Sequence, residues 1–133
     1  MADSFFHAEQ YAALIAALGR AAGAGEPDAA EDLEYVEGHM RNFLAYVSAV
    51  GISEIGIGAA EAALTGEALR TRVTELDRER SRNHDAAIAS ASALNRIAAA
   101  YGVGPIYTGD PARRRQVAAF CMEVTAHLFA NRR

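Results

Sequence analysis

Residues 66–101 read GEALRTRVTELDRERSRNHDAAIASASALNRIAAAY. After Gly66 this stretch contains neither Pro nor Gly, the two residues that most disfavour a helix interior. Leu69, Val73, Leu76, Ala87, Ala91, Leu94, Ala98 and Tyr101 fall along one seam of a helix. Thr65 stands where a cap belongs. At the other end Gly102 can take the left-handed conformation that closes a helix, and Pro105 prevents its resumption. The spacing predicts one helix over 66–101, about 54 Å long at 1.5 Å per residue. A compact chain of this size has a radius of gyration near ~14 Å, hence a diameter of about 35–40 Å. The helix overshoots its body. Either it bends at its polar middle or its free end packs on a second subunit, and a homodimer is the expectation.

The polar middle is where the seam's apolar pattern fails. Arg80 and His84 take positions that the spacing assigns to the buried face, with Asp77 and Asn83 beside them. Further along, Asn95 and Arg96 flank Leu94. An unpaired buried charge costs several kcal/mol, so Arg80 must find a partner or water, and Asp77 lies three residues before it on the same face. Two readings stay open. One is a salt-bridge network that sets helix register or dimer geometry. The other is a pocket for a small anion, with Arg80 and Arg96 as the cationic groups and His84 titrating near neutral pH. Arg80 and Arg96 stand about 24 Å apart on a straight helix. One monomer cannot apply both to one small ligand, whereas antiparallel central helices in a dimer could. The candidate ligand-binding residues are Asp77, Arg80, His84, Asn95, Arg96 and, from the connector that follows, Tyr107.

The runs Glu75-Leu76-Asp77-Arg78-Glu79-Arg80, Asn83-His84-Asp85-Ala86-Ala87-Ile88, Leu94-Asn95-Arg96 and Pro105-Ile106-Tyr107 resemble a family of small all-helical bacterial domains of unknown function. The resemblance covers about Glu75 to Phe120. It implies a helical fold and carries no activity.

Outward from the centre, the pattern stays helical. Phe6, Leu14 and Leu18 predict a helix from Ser4, its N-cap, to Ala22, stopped by Gly23-Ala24-Gly25-Glu26-Pro27. Asp28 is placed to cap a second helix, whose stripe of Leu33, Val36, Met40, Phe43, Val47 and Val50 ends at Gly51. A short separate helix is expected over Ile52–Thr65, weakened by Gly56 and Gly58. After the connector, which Ile106 and Tyr107 anchor, Asp110 caps the last helix with Pro111 at its first position. Val117, Phe120, Cys121, Val124 and Leu128 face inward there. The expected fold class is all-α, a bundle of four to five helices around one long central helix, with residues 1–133 as a single domain.

Composition agrees. Ala fills 31 of 133 positions, and there is no Trp. All 13 basic residues are Arg, a pattern that suits either a GC-rich genome or bidentate recognition of oxyanions. The net charge of −4 argues against general nucleic-acid binding. Arg113, Arg114 and Arg115 lie in the first turn of the last helix, where positive charge opposes the dipole. They call for a counter-ion, either the acidic run Glu31, Asp32, Glu34 and Glu37 or an anionic ligand. With Arg132 and Arg133 they could form a basic patch, but no aromatic interleaving supports a nucleic-acid surface.

Met1-Ala2-Asp3-Ser4 puts an acid where a secretory leader has a basic region, and no uninterrupted apolar run approaches a membrane span. A bacterial cytoplasmic protein with no membrane association is expected. No cofactor or metal is expected either: the Glu-x-x-His motif of helix-bundle metal sites is absent, and the nearest arrangements are Glu123/His127 and Glu34/His39. No catalytic motif occurs, and Cys121 sits among apolar neighbours as an inert core thiol. The function expected is contact with other proteins, with anion binding or weak catalysis at Asp77, Arg80 and His84 as the alternative.

Overall fold

Pro27 opens a helix that four later glycines do not stop. The computed structural model describes residues 4–131, so Met1–Asp3 and the Arg132–Arg133 pair lie outside the described residues. Four helices follow one another: α1 (Ala8–Gly23), α2 (Pro27–Ala63), α3 (Gly66–Ala100) and α4 (Arg114–Ala130). Helix α2 runs for 37 residues without a break, so the expected end at Gly51 and the separate helix over 52–65 are both corrected. Pro27 is its first residue rather than a breaker, because its fixed φ suits that position. Glu26 takes the N-cap position instead of Asp28, and Gly25, at φ +83°, makes the turn out of α1.

Each mid-helix Gly costs about 1 kcal/mol relative to Ala, and packing against α3 offsets that cost. Ser53 and Ala60 are buried on this side. At Gly56 α3 packs tightly on the backbone of α2: a Cβ there would lie 3.1 Å from Cδ1 of Leu76, itself buried. Gly51 and Gly58 face open space. Gly51→Ala and Gly58→Ala are therefore expected to stabilise the chain by about 0.5–1 kcal/mol each in urea denaturation. A loss of stability from Gly51→Ala would mean that α2 does not run through that position.

Leu64 and Thr65 alone join α2 to α3, with Gly66 at φ +61°. The two helices run antiparallel along their whole length. Gly56 meets Leu76, Tyr46 meets His84, Asn42 meets Ser90 and Asp32 meets Tyr101, so contacts step backward along one helix as they step forward along the other. The expected single central helix is thus one limb of a hairpin of two nearly equal helices, 37 and 35 residues long.

Helices α1 and α4, of 16 and 17 residues, pack on one half of this hairpin. Val36, Met40 and Phe43 of α2 and Ala91, Leu94 and Ala98 of α3 meet Leu14, Leu18, Phe120 and Val124 there in one core. Phe120 lies at its centre, with ring centroids 4.4 Å from Tyr107, 4.8 Å from Phe43 and 5.9 Å from Phe6. The segment before α1 runs beside the connector after α3, where Thr108 N–H donates to Phe5 O and His7 N–H to Ile106 O. Accordingly α1 starts after His7, not Ser4. Helix α4 starts at Arg114 rather than behind Asp110, whose carboxylate and carbonyl instead close a turn by accepting from Ala112 and Arg113 N–H.

At 1.5 Å per residue the hairpin is about 53–55 Å long, while α1 and α4 reach about 25 Å. The other half, residues 51–63 and 66–79, projects as an arm. Its α3 side is charged, with exposed ion pairs Arg70–Glu67 and Arg72–Glu75. Its α2 side is largely apolar, broken by Glu54 and Glu61: Ile52 is 67% and Ile55 75% exposed. Helix α2 is also long and apolar enough to cross a membrane, with a mean hydropathy of 1.6 over 18 residues of which only 22% are buried. A count of uninterrupted apolar residues passes over that stretch, because polar residues punctuate it.

Candidate functional site

The arm leaves the body where α4 begins, and there the polar interruption of α3 meets two arginines from another helix. His84 is buried, and its Nδ1 lies 3.5 Å from the Tyr46 hydroxyl of α2. One turn earlier Arg80 pairs with Asp77 through Nη2, as the i, i+3 spacing predicts. The Nε–H of Arg80 is buried and has no acceptor among the described residues. Across the gap Arg114 donates from Nη2 to the Ser81 hydroxyl at 2.9 Å. Tyr46, Val50, Glu54, Arg80, His84, Arg114, Arg115 and Ala118 line a cleft of about 320 Å³. Burial pushes the Tyr46 hydroxyl up, while the Arg114 and Arg80 guanidinium groups act in the opposite sense.

The structure therefore keeps Asp77, Arg80 and His84 together and separates them from the other candidates. Asn95 is a clamp on the connector. Its Oδ1 accepts from Ile106 N–H at 2.8 Å and Tyr107 N–H at 3.0 Å, and its Nδ2 donates to Tyr107 O at 2.8 Å. Tyr107 is buried against Phe120, away from the cleft lining. Arg96 is exposed and acts on His39, whose pKa is lowered first by burial and then by that guanidinium. His39 and Asn42 in turn both bond Ser90 Oγ at 3.1 Å. A wider hollow of about 650 Å³ follows Glu31 to Asn42, but every lining residue belongs to α2, so it is an open trough along one helix.

The sequence flagged the α4 arginines without locating their neighbours. Arg113 lies 3.6 Å from Asp110, and neither Arg114 nor Arg115 has a carboxylate within 4 Å among the described residues. The acidic run belongs elsewhere: Asp32 accepts the Tyr101 hydroxyl at 2.7 Å, a bond that pushes that phenol up to about 12. Glu54 and Tyr46 were not legible as site residues at all, because their pattern in α2 reads as ordinary helix surface and core.

Glu123 and His127, one of the near-motifs for metal binding, make other contacts. Glu123 Oε2 accepts from Phe5 and Phe6 N–H at 3.0 Å each, tying the segment before α1 to α4. His127 packs against Phe6 and Tyr11. Cys121 is fully buried and its thiol is pushed up to about 12 by burial, so it holds little thiolate.

The profile of DUF3232, a family of proteins of unknown function, matches residues 26–133. The chain belongs to that family. The DUF3232 match takes in the α2–α3 hairpin, the connector and α4, and so every residue of the cleft and the whole arm, while α1 precedes it. No curated protein and no solved structure matches the chain.

Proposed function

We propose that this DUF3232 chain is an assembly module that acts through protein–protein contacts, the first of them with a second copy of itself along the arm. One observation carries the reading. Ala45, Ser48, Ile52, Ile55, Ala59 and Ala62 are all exposed, and they recur at alternating steps of three and four along α2. That is the seam of a two-helix coiled contact, and its small residues allow a close approach. Neither α1 nor α4 covers it, since all six positions stay exposed.

A lipid bilayer is the competing occupant, since the same helix meets the length and hydropathy of a membrane span. The opposite limb argues against it. Glu67, Arg70, Arg72, Glu75, Arg78 and Glu79 line the α3 side of the arm and would enter the bilayer with α2, at several kcal/mol apiece near its centre. A protein surface needs to cover only the α2 side.

The test is sedimentation equilibrium of the full chain at tens of micromolar, beside Ile52→Glu/Ile55→Glu. The expected result is twice the 14.1 kDa chain mass for the parent and a monomer for the double variant, with unchanged helical circular dichroism. Burying an Ile contributes about 1.5–3 kcal/mol, and about 3 kcal/mol corresponds to a hundredfold in Kd, so association should weaken by at least about that factor. A parent chain that stays monomeric, or that floats with phosphatidylcholine vesicles, would overturn the reading.

A further inference from the structure

We infer that the cleft at the root of the arm binds the phosphate group of a small phosphorylated ligand. The inference does not depend on self-association of the arm. It rests on a mismatch of charge and hydrogen bonding that the protein alone leaves unanswered. Arg80, Arg114 and Arg115 line the cleft against a single acid, Glu54. Counting Asp77, which pairs with Arg80 from outside the lining, positive charge is still in excess on a chain of net charge −4.

Helix α4 sharpens the mismatch. Its first turn contains no acidic residue, its N-cap Arg113 makes no side-chain capping bond, and Arg114 and Arg115 place positive charge at the positive end of the dipole. Uncapped N–H groups and a positive dipole end favour an anion. The arginines repel one another until one arrives. Two further polar groups belong to residues that line the same cleft. Arg80 Nε–H is buried without an acceptor among the described residues. Buried His84, with Nδ1 turned to Tyr46, has Nε2 as its remaining polar atom.

Guanidinium forks match the paired oxygens of phosphate in a way that a point charge does not. Several such forks together suit a dianion better than a carboxylate. The volume of about 320 Å³ is small for a ligand pocket and admits a phosphate with a modest organic body. Val50, Ala118 and the Tyr46 ring supply an apolar wall for that body. A phosphate monoester of a small molecule and the headgroup of a phosphatidic-acid-type lipid share this chemistry.

Calorimetric titration of the full chain with inorganic phosphate and with phenyl phosphate tests the inference, beside Arg114→Gln/Arg115→Gln. Both arginines are exposed, and removing them relieves repulsion, so the variant folds. Phenyl phosphate should bind saturably and more tightly than phosphate, and the double variant should weaken it by at least about tenfold. A parallel arm measures sedimentation with phosphatidylcholine vesicles with and without phosphatidic acid. Binding only to phosphatidic acid vesicles, lost in the same variant, supports the site with a lipid as its source. The inference is overturned if neither arm shows saturable binding, if the double variant binds as the parent does, or if vesicles lacking phosphatidic acid bind equally.

Discussion

Phe120→Ala is expected to lower the stability of the folded chain by about 3–5 kcal/mol, the range for removing a buried aromatic side chain. Phe120 is 1% exposed and lies where four parts of the chain converge: the segment before α1, α2, the connector and its own helix α4. Its ring meets Phe6 and Phe43 edge-on and Tyr107 at a tilt, geometries that contribute beyond the buried area. A domain of this size has about 5–15 kcal/mol in total, so the variant approaches the unfolding threshold. Urea denaturation followed by circular dichroism reads the loss as a shift in midpoint. Phe120→Leu, which keeps most of the volume, should lose less than half as much. A loss below about 1 kcal/mol for the Ala variant would mean that the core does not converge on Phe120.

Asn95→Ala should cost about 3 kcal/mol, although Asn95 contributes no apolar core. Its amide accepts two backbone N–H groups and donates to one carbonyl of the connector, at Ile106 and Tyr107, both buried. Truncation leaves those backbone groups of buried residues without their side-chain partner, and each unsatisfied group costs about 1–3 kcal/mol. Asn95→Asp keeps an acceptor for both amides and loses only the donor, so it should fall between the parent and the Ala variant. The same denaturation series measures both, and amide hydrogen exchange at Ile106 and Tyr107 localises the change. If Asn95→Ala leaves stability and exchange untouched while weakening phenyl phosphate binding, Asn95 is a ligand contact and the clamp reading fails.

Asn95 shows why a site is harder to read than a fold. A polar residue on an otherwise apolar seam signals that a specific partner exists. It does not say whether that partner is a ligand, another helix or the chain's own backbone. Asn95 and Asp77–Arg80 give the same sequence signal, yet one clamps a connector and the other edges a cleft. Arg114 and Arg115 were conspicuous because they oppose a helix dipole, which is a local property. Their neighbour Glu54 is sixty residues away in sequence and carries no local mark. Gly51 erred in the other direction. Its propensity suggests a helix end, but about 1 kcal/mol is outweighed by continuous packing along α3.

Local chemistry written into the chain determined that it is helical, that α3 runs uninterrupted from Gly66 to Ala100, which residues face the core, and that one helix outruns a compact body. Those properties depend on period, propensity and caps within a few residues. Only the tertiary structure decided that α2 is as long as α3, that the two form a hairpin with one bare half, and that Arg80 and His84 share a cleft with Arg114 and Arg115. Those outcomes depend on which surfaces meet, and packing between distant segments overrides propensities of about 1 kcal/mol per residue.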